Sequence, residues 1–171
     1  VIFDERFFKE EIQGHVDHPH FLQRALWIKE YVPEGALVCI LGCGFGHLVK
    51  HLNELGVQAF GVDVSIYAFN CRVHEQVFCG SADSFEIPKG TYIFSWNMLD
   101  CLSEEMANTV ALNLKDVEHQ IHILCCVGNY EGYYIQSKSY WEELFPKAII
   151  INYEHPESDL KIPLSWGRVS N

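Results

Sequence analysis

The chain's 171 residues suit one domain, and a hydrophobic content of 49% is enough to fill a single buried core. Acidic residues number 23 against 12 basic ones, and the resulting formal charge of -11 repels a phosphate backbone and disfavours a nucleic-acid partner. No apolar run reaches the roughly 20 residues of a membrane span; residues 1–6 lack the basic start and apolar stretch of a signal peptide; and seven cysteines without a C-x-x-C pair read as a reduced, cytoplasmic thiol set.

Residues 1–18 mix aromatic and charged side chains without a period and read as an N-terminal arm or lid, ahead of a single domain over 19–171. From Pro19 the stripe Phe21, Leu22, Ala25, Leu26 and Ile28 predicts a helix to Tyr31, with Asp17 or His18 at its start and Pro33 and Gly35 ending it. Leu37–Leu41 is a continuous apolar run, as a parallel strand covered on both faces requires. Leu48, Val49, Leu52 and Leu55 then fall at helical spacing, and Gly56 stands where a helix stops. Next come a strand over 58–62, a short helix over 65–70 and strands over 76–79 and 92–96.

Ser103-Glu104-Glu105 opens a helix with the face Met106, Val110 and Leu114. A strand over 119–127 follows, and Ser139-Tyr140-Trp141-Glu142 has the pattern of a capping box opening a helix that Pro146 closes, with Trp141 and Phe145 in the core. Segments 148–153 and 164–169 read as two final strands without a helix between them, an antiparallel hairpin. The alternation of strands and helices gives an open α/β sheet.

Leu41-Gly42-Cys43-Gly44-Phe45-Gly46 lies between a strand and a helix, so its backbone N–H groups face the carboxyl edge where doubly wound folds bind ligands. Asp63, about twenty residues on, ends the second strand within reach of ribose hydroxyls. A dinucleotide fingerprint G-x-G-x-x-G needs a small residue at position 47, which here is His. The glycines are instead compressed to Gly42-x-Gly44-x-Gly46, and with Gly61-Val62-Asp63-Val64-Ser65 the chain resembles the class I S-adenosylmethionine-dependent methyltransferases.

The resemblance spans roughly residues 20–169 and implies a Rossmann-like, doubly wound, seven-stranded, mostly parallel sheet ending in the antiparallel hairpin. It implies that S-adenosylmethionine is the cofactor, held by Leu41, Gly42, Cys43, Gly44, Gly46, Asp63 and Val64. Ala82 and Asp83 would lie beside the adenine and Trp96 near the transferable methyl. Trp96-Asn97-Met98-Leu99-Asp100 departs from the Asn/Asp-Pro-Pro-aromatic motif of amino-group nucleic-acid methyltransferases, which again favours a small-molecule acceptor.

The acceptor expected is a sugar-like or aromatic hydroxyl, an amine or a carboxyl group. Tyr130, Tyr133 and Tyr134 follow the fifth strand and would offer flat walls to it. No catalytic residue is assigned; His155, Glu131 and Asp100 are the candidates for a general base. His47 and His51 have a possible metal spacing, but no carboxylate or thiol pattern completes a site, and none is expected at His18-Pro19-His20 either. Two alternatives stand beside the enzyme. One is a non-catalytic cofactor-binding or interaction module of the same fold; the other is a nicotinamide-dependent oxidoreductase, disfavoured by His47.

Overall fold

Five short apolar runs and a half-apolar one are spaced so that each strand is followed by a crossover, which forces parallel pairing. The computed structural model describes residues 3–11, 15–125 and 136–153. Its six strands are β1 Leu37–Leu41, β2 Gln58–Asp63, β3 Val77–Cys79, β4 Tyr92–Trp96, β5 His119–Cys125 and β6 Ala148–Tyr153, in the order β3-β2-β1-β4-β5-β6. Every pairing is parallel. The order reverses between β1 and β4, whose last paired residues are Leu41 and Ser95, and the crevice beyond that pair is where ligands of such sheets bind.

The helices are α1 Pro19–Tyr31, α2 His47–Glu54, α3 Ile66–Asn70, α4 Glu104–Leu114 and α5 Lys138–Leu144. Consecutive β1 residues serve opposite faces, which explains the unbroken apolar run. Val38 and Ile40 pack with Ala25, Ile28, Leu48 and Leu52 of α1 and α2, while Cys39 and Leu41 pack with Val110, Leu114, Trp141 and Phe145 of α4 and α5. No helix among the described residues is long and apolar enough to cross a membrane.

Several elements depart from the sequence pattern. On α1, Trp27 turns inward beside Ala25 and Ile28, so the stripe members Leu22 and Leu26 stay 42% and 45% exposed. Asp17 does not cap that helix, and the N-cap residue His18 makes no side-chain cap. Met106 of α4 is exposed because Ala107 and Ala111 complete the buried face with Val110 and Leu114. The cap of α5 is Ser137, whose hydroxyl accepts from Tyr140 N at 3.2 Å; Ser139 therefore lies inside the helix instead of opening it. Gly56 stops α2 as expected, its left-handed φ of +82° letting Val57 N return to Leu52 O at 2.9 Å. The last described strand, β6, is parallel to β5, and the second hairpin strand expected at 164–169 lies outside the described residues.

Candidate cofactor site

The three glycines of the β1–α2 loop do different things. A Cβ on Gly42 would lie 2.7 Å from Met98 Cγ, and one on Gly46 would lie 2.3 Å from Val77 Cγ2, so both are needed for internal packing. Gly46, at φ +86°, is the N-cap of α2 and lets that helix sit against β3. In the usual dinucleotide spacing this helix-to-strand role falls to the third glycine; here it falls one residue earlier. His47, the first residue of α2, is buried with its ring stacked on Phe21 at 5.3 Å.

Gly44 is different. At φ +55° its Cβ would meet only Phe8 Cε1, at 3.4 Å. Of the three it is the glycine whose Cα side is least crowded.

Asp63 closes the other side. As the last residue of β2 it is 8% exposed, and both its oxygens are engaged: Oδ2 accepts from Gly44 N at 2.8 Å and Oδ1 from Ser65 N at 2.9 Å. Burial pushes its carboxyl above the usual aspartate value, and the two N–H donors pull it back only in part. A carboxylate offers about four lone-pair sites, so two remain for further donors. The neighbouring Cys43 thiol is pushed well above its usual value by burial, with the Asp63 charge adding to the effect, which makes it an inert packing group against Gly61.

Val64, Ala82, Asp83, Trp96 and Asp100 end or follow strands β2, β3 and β4 at the same carboxyl edge. Val64 follows Asp63 and is exposed. Asp83 lies after β3, held below the usual aspartate value by hydrogen bonds from Ser81 and Ser84, so it is a charged acceptor. Ala82 is fixed by its carbonyl, which accepts from Asn113 Nδ2 of α4 at 2.9 Å, and the same amide donates to Phe85 O at 3.2 Å. Trp96 ends β4, but its ring packs toward α1, over which Arg24 lies 5.1 Å from the indole centroid. Asp100 is buried in the short 3-10 turn Leu99–Cys101 that follows. Glu131, His155 and the tyrosines at 130, 133 and 134 lie outside the described residues.

His47 and His51 face a carboxylate after all: Asp17 Oδ1 lies 3.7 Å from His47 Nδ1 and 2.8 Å from His51 Nε2, and Lys50 Nζ is 3.2 Å from Asp17 Oδ2. Burial pushes Asp17 up, but the hydrogen bonds from His51 and Lys50 outweigh it and hold the carboxyl below its usual value. Among the described residues no group of three His, Cys, Asp or Glu side chains could hold a metal ion.

Sequence reasoning misses three features of the site. Ser65 donates its N–H to Asp63, accepts from Ala68 N at 3.1 Å as the cap of α3, and donates its hydroxyl to Phe3 O at 2.6 Å; only the capping role has a sequence signal. Asn97, just past β4, has a φ of +54°, the left-handed region that asparagine tolerates better than other non-glycine residues. Phe8 of the N-terminal segment stacks on Phe45 of the glycine loop at 5.0 Å.

Solved structures of S-adenosylmethionine-dependent methyltransferases share the fold of this chain, a parallel sheet whose order reverses at β1/β4. Three of them are a SAM-dependent methyltransferase from Archaeoglobus fulgidus (TM-score 0.54, 17% identity, 68% of this chain and 55% of that one), the CcbJ methyltransferase from Streptomyces caelestis (0.52, 20%, 66% and 50%) and DesVI from Streptomyces venezuelae (0.50, 15%, 69% and 55%). The chain spans about half the length of these structures. No family model matches it, and no curated protein matches it.

Proposed function

We propose that this chain binds S-adenosylmethionine and transfers its methyl group to a small-molecule acceptor bearing a hydroxyl, amine or carboxyl group. The observation that carries the reading is Asp63, a buried carboxylate at the end of β2, tied to Gly44, the glycine of the β1–α2 loop at which an added Cβ would meet no atom closer than 3.4 Å. When bound, the cofactor supplies a methyl on a sulfonium, already activated for in-line displacement. The residues present fit it. Gly44 and its neighbours Leu41, Gly42, Cys43 and Gly46 form the turn beside the methionine portion, Asp63 accepts from the ribose hydroxyls next to Val64, and Asp83 accepts from the adenine amine beside Ala82. The protein's main work is alignment of the acceptor. Where the acceptor is a hydroxyl of high pKa, Asp100, Glu131 or His155 takes its proton.

Isothermal titration calorimetry with S-adenosylmethionine tests this reading. The intact chain binds, and Asp63→Ala weakens binding at least tenfold, as expected when charge-assisted hydrogen bonds worth about 1.5–3 kcal/mol each are removed. No heat from the intact chain, or an unchanged affinity in the variant, overturns it. A second reading, a cofactor-binding module without transfer, is favoured by the lack of an obvious catalytic motif after Ser95. It predicts the same calorimetry with no labelled methyl passed to any acceptor.

A further inference from the structure

The N-terminal segment touches the candidate cofactor site at two points that lie on either side of Asp63. At one, the Phe3 carbonyl accepts from Ser65 Oγ at 2.6 Å, and Ser65 N in turn donates to Asp63 Oδ1 at 2.9 Å. At the other, Phe8, only 2% exposed, stacks on Phe45 and places its ring edge 3.4 Å from where a Gly44 Cβ would stand, while Gly44 N donates to Asp63 Oδ2 at 2.8 Å. The contacts form a closed circuit running from the arm through Ser65, Asp63 and Gly44 back to the arm.

The segment itself is built to hold that shape. Asp4 Oδ1 accepts from Phe7 N at 3.1 Å, Asp4 O accepts from Phe8 N at 3.2 Å, and a π-helical turn, Phe7–Glu11, follows. A π-helical turn is rare and is frequently found at functional sites. Phe3 and Phe7 meet edge to face at 5.1 Å, and Phe7 and Phe8 do so at 5.2 Å, so the three rings pack as one cluster. Further along, Asp17 ties the chain to Lys50 and His51 of α2. The segment is thereby joined to the glycine-loop helix beyond the site as well as over it.

We propose that residues 3–11 are a gate over the cofactor site, latched at Phe3–Ser65 and at Phe8–Gly44, and that a nucleoside ligand enters and leaves Asp63 only when both latches open. The Phe8 ring lies 3.4 Å from where a Gly44 Cβ would stand and so covers the glycine tied to Asp63; the arm has to move for a ligand to pass in either direction. The gate role rests on the cofactor reading proposed above.

Surface plasmon resonance with S-adenosylhomocysteine as the probe, on the intact chain, Phe8→Ala and Asp4→Ala, tests it. Asp4→Ala loosens the arm without altering any residue of the glycine loop or any proposed ligand contact. Each variant is expected to raise the association and dissociation rate constants together, about tenfold, with Kd changed by less than about threefold. A rise in dissociation alone overturns the gate, because it makes Phe8 a ligand contact only; unchanged rates in both variants overturn it as well. Hydrogen exchange on the intact chain gives a test free of folding defects. Saturating S-adenosylhomocysteine is expected to change protection at the Phe7 and Phe8 amides, and unaltered exchange there overturns the gate even where the probe binds. Absence of binding to the intact chain defeats the cofactor reading itself, and is distinguishable from every gate outcome because it appears before any variant is compared.

Discussion

Asp63 is charged at a cost, and that cost is informative. Its carboxyl is buried and raised above the usual aspartate value even though two backbone N–H groups donate to it. Because the folded pKa exceeds the unfolded one, the folded state takes up the proton first, so Asp63 by itself adds stability as pH falls and loses it as pH rises. Binding follows the opposite course: the protonated acid loses its charge-assisted bonds, so affinity for S-adenosylmethionine is expected to weaken on the acid side, beginning at higher pH than for an ordinary aspartate. Calorimetry over a pH series checks this, and an affinity flat through the acid range counts against Asp63 as the acceptor. The glycines give a second residue-scale prediction. Gly46→Ala meets both the left-handed strain and Val77, and is expected to lower unfolding stability by about 2–4 kcal/mol. Gly44→Ala carries the backbone strain alone, about 1–2 kcal/mol, yet is expected to weaken cofactor binding more than Gly46→Ala does. Urea denaturation and calorimetry on the two variants separate the effects; equal behaviour would remove the division of labour within the loop.

Between elements, the least expected link is inside the sheet. Ser95 of β4 and His122 of β5, paired in register and both fully buried, share a 2.8 Å hydrogen bond, and Gln120 Oε1 lies 3.3 Å from the other ring nitrogen. Gln120 is itself held by donating to Leu114 O and Val117 O, so the network joins β4, β5 and the end of α4. Burial lowers the His122 pKa to about 3, so the ring is neutral in the folded state. The unfolded chain takes up a proton below about pH 6.5 and the folded one does not until about pH 3, so stability falls as pH drops through that window. Between pH 7 and pH 5 the expected loss from His122 is about 2 kcal/mol. Urea midpoints across this range should show it, and His122→Gln should flatten the slope; an equally steep slope in the variant assigns the effect elsewhere.

This network also marks the limit of what is legible in the chain. The strands and most helix limits are legible because they rest on local periodicity, and the glycine loop with Asp63 because turn geometry demands particular residue types. Leu22 and Leu26 mislead because apolar spacing alone does not say which edge of the stripe meets the sheet once a residue as large as Trp27 competes for the same face. Ser65, Asn113 and Phe8 owe their roles to partners 62, 31 and 36 residues away in the chain, and no local pattern encodes such pairings.

At the scale of the molecule, β1 and β4 carry both faces of the core, with Cys39, Leu41 and Ile93 on one side and Val38, Ile40 and Phe94 on the other. Neither apolar layer can be exposed without stripping the strands that support the opposite one. This arrangement favours a single cooperative unit over the described part of 19–171, and it has a direct test. Trp27 and Trp141 are buried in opposite layers. In two variants, each retaining one of these tryptophans and carrying phenylalanine at the other and at positions 96 and 166, fluorescence reports one layer at a time while far-UV circular dichroism reports the whole backbone. Replacing either buried indole lowers stability, so the absolute midpoints of the two variants will differ; the comparison is within each variant. Fluorescence and dichroism are expected to give coincident urea midpoints in both. A Trp27 signal that changes before the dichroism would separate the α1–α2 layer, which lies beneath the glycine loop, as an independently melting unit, and the cofactor site would then open without unfolding of the layer that holds His122 and Trp141.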